Sequence, residues 1–408
     1  MDVTHFNALT SPAFRADPMP MLARLRQESP VLRIKPGMLE SWHVFGYEDI
    51  RSILLDPDRF SSDRSLIGGG DARVSKANLG FLFNNLISAS GEKHRRLRMI
   101  ANRVFMAGGV ERFREVCDRK IGQCLDDALD GEVFDVVEGF AAKISIAMIS
   151  AVLGLPDADR DRIRRWAKVL GANSGAVTWM AEMDHDIEAL SLNTALEMRD
   201  YFAKYIDERK ARPKEGDVIS QFLHQEVEGE RLDGEEVLSM AMLLLLAGNE
   251  TTTNLITNFM RRMAMHPQDG ERLRVEPDLV DSAVEETVRL HSSIRNIDRY
   301  ALIETRIGGV TIPAGAQMVL WLSAGNRDPE IFENPDRFDI ARKPNRHLGF
   351  GTGMHMCLGA HLARLQTRAA ARHVLDKTRE IQLCGEPVHG PNASFDNILR
   401  QDMRFLRR

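Results

Sequence analysis

The chain has 408 residues, of which 43% are apolar and 28% charged, a composition typical of a folded globular protein rather than a disordered one. A net charge of −5 argues against a general nucleic-acid binder, and four scattered cysteines fit a reducing cytoplasm better than a disulfide framework. The sequence shows no signal peptide, linker, repeat or apolar run of membrane length, so we predict a cytoplasmic protein with one domain over residues 1–408 and no membrane association.

The N-terminal region alternates short predicted elements with irregular chain. A helix is predicted over roughly residues 21–28. The β-branched and aromatic segments Val31–Ile34 and Trp42–Phe45, separated by a Pro-Gly turn, predict a hairpin. A helical pattern follows from Tyr47 to Leu55. Residues 61–90 show no regular pattern, and long irregular segments in compact proteins are more often functional than idle.

A basic helix is predicted over residues 92–105. Most of its charges are typical of a solvated helix face, but His94 and Arg98 are four residues apart and therefore share one side of the helix. Further helices are predicted within residues 111–212, interrupted by an irregular middle segment at 171–186.

The longest predicted helix begins at a capping box formed by Asp233 and Glu236, and its apolar pattern runs to Met265, where a His-Pro pair ends it. Three consecutive threonines, preceded by Gly and Asn, interrupt the middle of this pattern. Such residues form helices poorly, and a conflict between local preference and fold indicates a functional site.

This polar middle combines small residues with an acid and an alcohol. Ala247 and Gly248 are small enough for something flat to approach the backbone, and the hydroxyl of Thr251 can bond to the carbonyl of Ala247. With Glu250 beside Thr251, the pattern is typical of a pocket that binds O2 and delivers protons. A long core helix with a solvated polar patch is the alternative interpretation.

Near the C-terminus, a glycine-rich loop presents Cys357 just before another predicted helix. The N-terminus of a helix favours an anion, so a thiolate is plausible there. No second Cys or His lies at metal-ligand spacing, and one interpretation is a single soft ligand to a metal held elsewhere, as in a cysteine-bound haem. The other interpretation is a buried cysteine acting as a small apolar residue.

The loop sequence F-G-x-G-x-H-x-C-x-G-x-x-L-A-R, which begins at Phe350, resembles the haem-ligand loop of the bacterial cytochrome P450 family residue for residue. Three further motifs resemble the same family: A-G-x-E-T-T at 247–252, E-x-x-R at 286–289 and H-x-x-x-R at 94–98. The resemblance runs from about residue 20 to the C-terminus. It implies a mainly α fold with small antiparallel β-sheets, a single haem-centred domain, and haem b as the cofactor.

The resemblance also implies roles for individual residues. Cys357 is expected to ligate the haem iron, while Glu250 and Thr251 are expected to deliver protons to bound O2 as the catalytic pair. The residues expected to contact haem are His94, Arg98, Ala247, Gly248, Arg299, Phe350, His355, Cys357 and Gly359. Of these, His94, Arg98, Arg299 and His355 match positions that bind the haem propionates.

Two more expectations concern structural support and substrate. Glu286 and Arg289 match a buried pair beneath the haem, with His347 as its third partner. The residues expected to line the substrate pocket are Leu243, Leu246, Ala247, Ile294 and Phe395, with Ser394 and Asp396 beside them and a lid formed by residues 157–212. The segment Ser90-Gly91-Glu92-Lys93 departs from the family pattern and leaves the start of the His94 helix in question.

By this resemblance the reaction is O2-dependent monooxygenation of a small, largely apolar organic molecule. We expect a monomer that receives electrons from a ferredoxin and a ferredoxin reductase. The basic residues proposed to face an acidic ferredoxin are Arg95, Arg96, Arg103, Lys343, Arg346 and Arg364. Two alternatives stay open: a peroxide-driven or carrier-protein-linked haem enzyme, and a non-catalytic haem-binding or sensing protein.

Overall fold

The computed structural model describes residues 3–35, 40–63, 84–129, 132–173 and 185–408. The Pro-Gly turn of the predicted hairpin, most of the irregular 61–90 segment and the middle of the predicted lid lie outside the described residues. Within the described parts, helices predominate and are connected by short strands.

Most of the helices coincide with those predicted from the sequence. They are α1 (Val3–Leu9), α2 (Pro12–Ala16), α3 (Met19–Glu28), α4 (Tyr47–Leu54), α5 (Gly91–Phe105), α6 (Ala107–Glu111), α7 (Arg114–Ala128), α8 (Ala142–Leu153), α9 (Arg160–Asn173), α10 (His185–Ala211), α11 (Val218–His224), α12 (Gly234–Met265), α13 (Pro267–Val275), α14 (Leu279–Leu290), α15 (Leu322–Gly325) and α16 (Ala360–Lys377). A short π-helical turn, Val137–Ala141, leads into α8, and 3-10 turns lie at Asp157–Asp159 and Gly353–His355.

The strands are short and form small sheets. They are β1 (Val31–Ile34), β2 (Ser41–Val44), β3 (Phe60–Ser61), β4 (Phe134–Asp135), β5 (Ile297–Ala301), β6 (Thr305–Ile307), β7 (Val310–Ile312), β8 (Gln317–Leu320), β9 (Thr378–Leu383), β10 (Val388–His389), β11 (Ile398–Arg400) and β12 (Asp402–Arg407). The predicted hairpin is confirmed, since β1 pairs with β2 in antiparallel register with Val31 opposite Val44.

The largest sheet has five strands in the order β1-β2-β8-β5-β3. Its pairs are antiparallel as expected, except that β2 and β8 run parallel. The parallel pair joins segments more than 250 residues apart in sequence, because Ser41 lies opposite Gln317. The sheet packs beside α4, and its apolar residues form a core cluster separate from that of the helices.

Helix α12 is the central element of the helical part. Asp233 accepts from the backbone N–H of Glu236 while the Glu236 carboxylate accepts from the N–H of Asp233, so the predicted capping box is confirmed. Apolar residues occur on most sides of the helix, which fits its contacts with α8, α10, α16 and β9. At about 1.5 Å per residue the helix is roughly 48 Å long, enough to cross the molecule.

The start of α5 also has a structural explanation. Ser90, at the N-cap position, makes no side-chain cap bond, and its hydroxyl instead lies 2.7 Å from the hydroxyl of Ser61 in β3. Gly91 follows with a φ of 57°, a conformation that glycine adopts readily. The atypical segment therefore ties the helix start to the sheet. Among the described residues, no helix combines the length and the apolar character needed to cross a membrane.

Candidate functional site

The cysteine loop is a compact turn in front of α16. The backbone N–H of Cys357 donates to the carbonyl of Phe350 at 2.8 Å, which closes the loop on itself. Gly353 has a φ of 72°, and a Cβ there would collide with the carbonyl of Leu54 in α4. A side chain is therefore excluded at this position, and the loop is held against α4. Cys357 lies three residues before the first residue of α16, as predicted.

Cys357 has accessible side-chain area although many protein atoms surround it, a combination typical of the wall of a cleft. Burial raises the pKa of its thiol, and the backbone N–H groups of Gly359 and Ala360 together with Arg98 and Arg364 oppose that rise. The helix N-terminus thus favours the thiolate as predicted, but burial outweighs it. A metal cation deprotonates a coordinating thiol outright, so ligation would reverse this balance.

Four basic side chains meet beside this loop: His94 and Arg98 from α5, Arg299 from β5, and His355. The two imidazole rings lie 4.2 Å apart. Arg98 donates to the carbonyl of Met356 at 2.5 Å, which links α5 directly to the cysteine loop. Four positions that are far apart in sequence are therefore brought together, and we call them the basic cluster.

The basic cluster is electrostatically unfavourable by itself. Burial lowers the pKa of His94 to about 4, with further contributions from Arg98 and Arg299. Burial likewise lowers the pKa of His355 to about 3, and that of the Arg299 guanidinium to about 10. Each shift means that the surroundings disfavour the positive charge.

The basic cluster forms no ion pair with a carboxylate among the residues that the structure describes, although the charge of Asp298 acts to raise the pKa of Arg299. Within the same residues, Nε2 of His94 is buried with no hydrogen-bond partner. Two propionate carboxylates would supply the missing negative charge and acceptors. In the same described residues, no group of three His, Cys, Asp or Glu side chains could hold a metal ion, which leaves a single soft ligand. The donor set therefore fits haem.

One face of α12 remains accessible in an otherwise buried helix. It is formed by Leu243, Leu246, Ala247, Glu250 and Thr251, and we call it the open face. Ala247 is exposed and the other four are partly exposed, whereas the residues on the opposite sides are buried. The Thr251 hydroxyl donates to the carbonyl of Ala247 at 2.6 Å, as predicted. An alcohol therefore lies at the C-terminal end of this accessible surface.

Gly248 is partly exposed, but its side-chain position faces α8. A Cβ on Gly248 would lie 3.1 Å from Cδ1 of Ile149 in α8, which is closer than ordinary van der Waals contact. The small size of this residue therefore allows α8 and α12 to pack closely. Contact between the backbone of Gly248 and the cofactor stays a prediction.

Glu250 is the half-buried acid of the open face and contacts the C-terminal segment. The side-chain amide of Asn397 donates to Oε1 of Glu250 at 2.7 Å. Burial raises the pKa of the Glu250 carboxyl to about 7, and the bond from Asn397 opposes that rise. Sequence analysis missed Asn397, since 147 residues separate the two partners and no local pattern marks it.

Two segments bring further predicted residues to the same region. Ile294 and Phe395 form an isolated antiparallel bridge and are both half-buried. Next to Ile294, the Ser293 hydroxyl donates to the backbone carbonyl of Thr251 at 2.7 Å. The structure thus places both segments beside Thr251, and their contact with substrate stays a prediction.

The Glu286–Arg289 pair is fully buried rather than a surface contact. Two hydrogen bonds of 2.7 Å join the side chains, and neither residue has measurable exposed area. The remaining donors of Arg289 bond to the carbonyls of Asn326, Pro335 and Arg337, and Glu286 also accepts from Arg342, Asn345 and the N–H of Asp339. The pair therefore organises the irregular chain that precedes the cysteine loop.

His347 is not the third partner of that pair, as the sequence had suggested. Its Nε2 lies 3.1 Å from Glu285, which faces the opposite way from Glu286 along α14. Arg364 donates two 2.7 Å bonds to the same carboxylate and lies 4.5 Å from the centroid of the Phe350 ring. Burial would raise the pKa of Glu285, but the bonds from Arg364 and His347 lower it to about 2. Glu285, which the motif did not mark, thus connects α14 to both ends of the cysteine loop.

Comparison with known proteins agrees with this geometry. A family model described as Cytochrome P450 matches residues 179–379. The cytochrome P450 monooxygenase PikC of Streptomyces venezuelae is 35% identical over 404 residues, covering 97% of this chain and 92% of PikC. The structure of P450BioI in complex with hexadec-9Z-enoic acid ligated acyl carrier protein matches with a TM-score of 0.89 at 31% identity, covering 98% of this chain and 100% of the other.

A further solved structure, CYP109E1 from Bacillus megaterium in complex with testosterone, matches with a TM-score of 0.85 at 27% identity. This match covers 97% of the present chain and 99% of the other. The similarity therefore includes the cysteine loop, the basic cluster and the long central helix together. The chain belongs to the cytochrome P450 family, whose members are haem b monooxygenases.

Proposed function

We propose that this chain inserts one oxygen atom from O2 into a small, largely apolar organic substrate, with Cys357 as the haem ligand. The observation that supports this best is the basic cluster, in which two buried and two half-buried basic groups form no ion pair with a carboxylate among the described residues and lie beside Cys357. That arrangement is electrostatically reasonable only around a dianionic metal cofactor.

In this proposal the residues around the loop bind and orient the cofactor. His94, Arg98, Arg299 and His355 hold the propionates, and Cys357 supplies the thiolate. Haem b with a thiolate ligand supplies the O2 activation and the oxidation itself. Glu285 fixes the loop through His347 and Arg364, so the position of the sulfur is set by α14.

Glu250 and Thr251 have the properties required to deliver protons. A pKa of about 7 lets the Glu250 carboxyl take up and release a proton near neutral pH. The Thr251 hydroxyl lies on the open face and keeps its own proton ordered in the bond to Ala247. This intact acid–alcohol pair favours O2 over peroxide as the oxidant. Turnover with peroxide but none with reductant would reverse that choice.

The proposed substrate contacts are mostly apolar. Leu243, Leu246, Ala247, Ile294 and Phe395 offer apolar surface with accessible area, and the hydroxyl groups of Thr251 and Ser293 lie at one end of it. A steroid was bound to CYP109E1, one of the structural neighbours. A rigid or extended apolar molecule with few polar groups fits this surface best.

The electron donor is proposed to be a separate ferredoxin with its reductase. Some of the six basic residues expected to face the ferredoxin are engaged within the protein. Arg96 is paired with Glu236, and Arg364 with Glu285, so charge reversal at either would damage the fold. Arg103, Lys343 and Arg346 are exposed and form no ion pair among the described residues. Charge reversal at Arg103 and Lys343 should slow ferredoxin-driven turnover; unchanged turnover would reject this surface.

The first test is the absorption spectrum of the reduced protein with carbon monoxide. We expect the strongly red-shifted haem band that thiolate ligation produces, and we expect Cys357→Ser to abolish it. Cys384→Ser is the matched control, because Cys384 is also exposed but lies in the loop directly after β9, away from the cysteine loop in sequence. A histidine-type band, or loss of the shifted band in the control, would overturn the assignment of Cys357.

A second candidate is oxidation of an acyl chain carried by an acyl carrier protein. It is favoured by the P450BioI complex, whose fatty acid is ligated to such a carrier. The two candidates are separated by adding free hexadecenoic acid, or the same acid on its carrier, and recording whether the haem absorption spectrum shifts. A response to the carrier-bound acid alone would favour the second one.

A further inference from the structure

We propose that Asn397 is a positioning residue for Glu250, holding its carboxylate so that the acid can carry a negative charge inside the protein. The inference concerns the contact itself and rests on the proposed role of Glu250 only for its effect on turnover. Asn397 is not part of any motif by which the family was identified, and it lies in the C-terminal segment opposite α12.

The geometry fixes the amide firmly. Asn397 is only 8% exposed, and its backbone carbonyl accepts from the N–H of Gly390 at 2.8 Å. A Cβ on Gly390 would lie 3.1 Å from Nδ2 of Asn397, so the glycine leaves space for this amide and little more. The Asn397 amide that donates to Glu250 is therefore packed against Gly390.

The loop that carries Asn397 is anchored at several points. Asp396 pairs with Arg295 at 2.7 Å, and its backbone N–H donates to the carbonyl of Ser293 at 3.0 Å. The N–H of Arg295 donates to the carbonyl of Ser394 at 2.7 Å. Because Ser293 also bonds to Thr251, the loop and the acid–alcohol pair belong to one hydrogen-bonded unit.

Asn397 is the group that stabilises the charged form of Glu250. A hydrogen bond to an ionised oxygen is roughly twice as strong as one to a neutral oxygen, so the amide favours the carboxylate. The other charged or titratable groups of this layer are occupied with one another: Asp396 with Arg295, His291 and Arg261, and His389 with Asp396. Among the described residues, the pKa of the Glu250 carboxyl is raised by burial and lowered by the hydrogen bond from Asn397, and none of these other groups forms a bond with it.

Removal of the amide should therefore make Glu250 harder to ionise. In Asn397→Ala the carboxyl loses its donor while the burial remains, and its titration midpoint should rise by about one pH unit. In Asn397→Asp a similarly shaped side chain brings a second negative charge, and the midpoint of the pair should rise further.

The experiment is a pH titration of the carboxyl infrared band in the substrate-free, haem-loaded protein, with Glu250→Gln used to assign the band. Asn392→Ala is the matched control, since Asn392 stabilises the same loop through the N–H of Ser394 but does not contact Glu250. The expected result is a higher midpoint in both Asn397 variants and an unchanged midpoint in the control.

Unchanged midpoints in the Asn397 variants would overturn the proposal, and so would an equal rise in Asn392→Ala, because the effect would then come from loosening of the loop. The pH dependence of product formation is measured on the same proteins. If the infrared midpoint rises and the turnover profile does not move, the contact is supported and the proposed relay role of Glu250 is rejected.

Discussion

The ionisation of Glu250 depends directly on the fold. Its pKa is raised from 4.5 to about 7, chiefly because burial disfavours the charge. Between these two values the folded protein binds a proton that the unfolded chain has released. The stability that this group contributes is thus complete below about pH 4.5 and is lost as the pH rises through about 7.

The corresponding prediction concerns Glu250→Gln, which cannot ionise. The wild type should lose roughly 2 to 3 kcal/mol of unfolding free energy relative to this variant between about pH 5 and 8. Urea unfolding of both proteins at the two pH values measures the difference. A constant difference between them would show that the carboxyl titrates normally.

A second residue-scale prediction tests the basic cluster. Arg299→Met keeps an apolar stem in the buried site but removes a charged donor, so haem should dissociate roughly ten- to a hundredfold faster. Transfer of haem to apomyoglobin measures the rate. Arg103→Gln on the exposed side of α5 is the control and should retain the wild-type rate. Equal rates in all three proteins would show that Arg299 does not hold the cofactor.

Two adjacent acids on helix α14 have different roles because they face different parts of the protein. Glu286 faces the irregular chain at 326–345, whereas Glu285 faces α16 and the cysteine loop. A sequence motif marks the Glu286–Arg289 pair because the two residues are three positions apart. The partners of Glu285 are 62 and 79 residues away, so only the packed structure identifies them.

The element-scale prediction compares two ion pairs of the same i,i+3 spacing. Arg289→Ala leaves Glu286 buried without its main partner and should destabilise the protein by roughly 3 to 5 kcal/mol. Arg114→Ala breaks the exposed pair with Glu111 and should have no measurable effect. Urea unfolding distinguishes the two, and similar small changes in both would contradict the structural role of the buried pair.

Local sequence patterns were sufficient to predict where most helices lie. They were not sufficient to predict which distant residues those helices contact. The ends of α12 were predicted from Asp233 and the His-Pro pair because capping and proline chemistry act within a few residues. The packing role of Gly248 and the contact of Asn397 with Glu250 depend on α8 and the C-terminal segment, which sequence spacing does not specify. The parallel β2–β8 pair escaped prediction for the same reason.

At the scale of the whole molecule, one apolar cluster includes buried residues from Leu86 to Phe405 and surrounds α12. Such a continuous core supports the prediction of a single domain. Its members come from both halves of the chain, so neither half could bury its apolar residues alone. The sheet around β5 contributes a second cluster, and Arg299 of that strand belongs to the basic cluster.

We therefore predict that the haem-loaded protein unfolds in one calorimetric transition. Removal of haem should lower the midpoint temperature by several degrees at least, because a ligand that binds only the folded state stabilises it. The positive charge of Arg299, buried and left without a propionate, adds to this loss in the apoprotein. Two separate transitions in the loaded protein would contradict the single-domain prediction.

The loop at 392–397 also has a consequence for protein engineering. It presents Phe395 toward the proposed substrate while Asn397, two residues later, holds the acid. A loop exchange made to accept a new substrate would therefore alter the proton supply at the same time. Such chimeras should consume reductant wastefully, with electrons lost to hydrogen peroxide, unless the asparagine and its facing glycine are transplanted together.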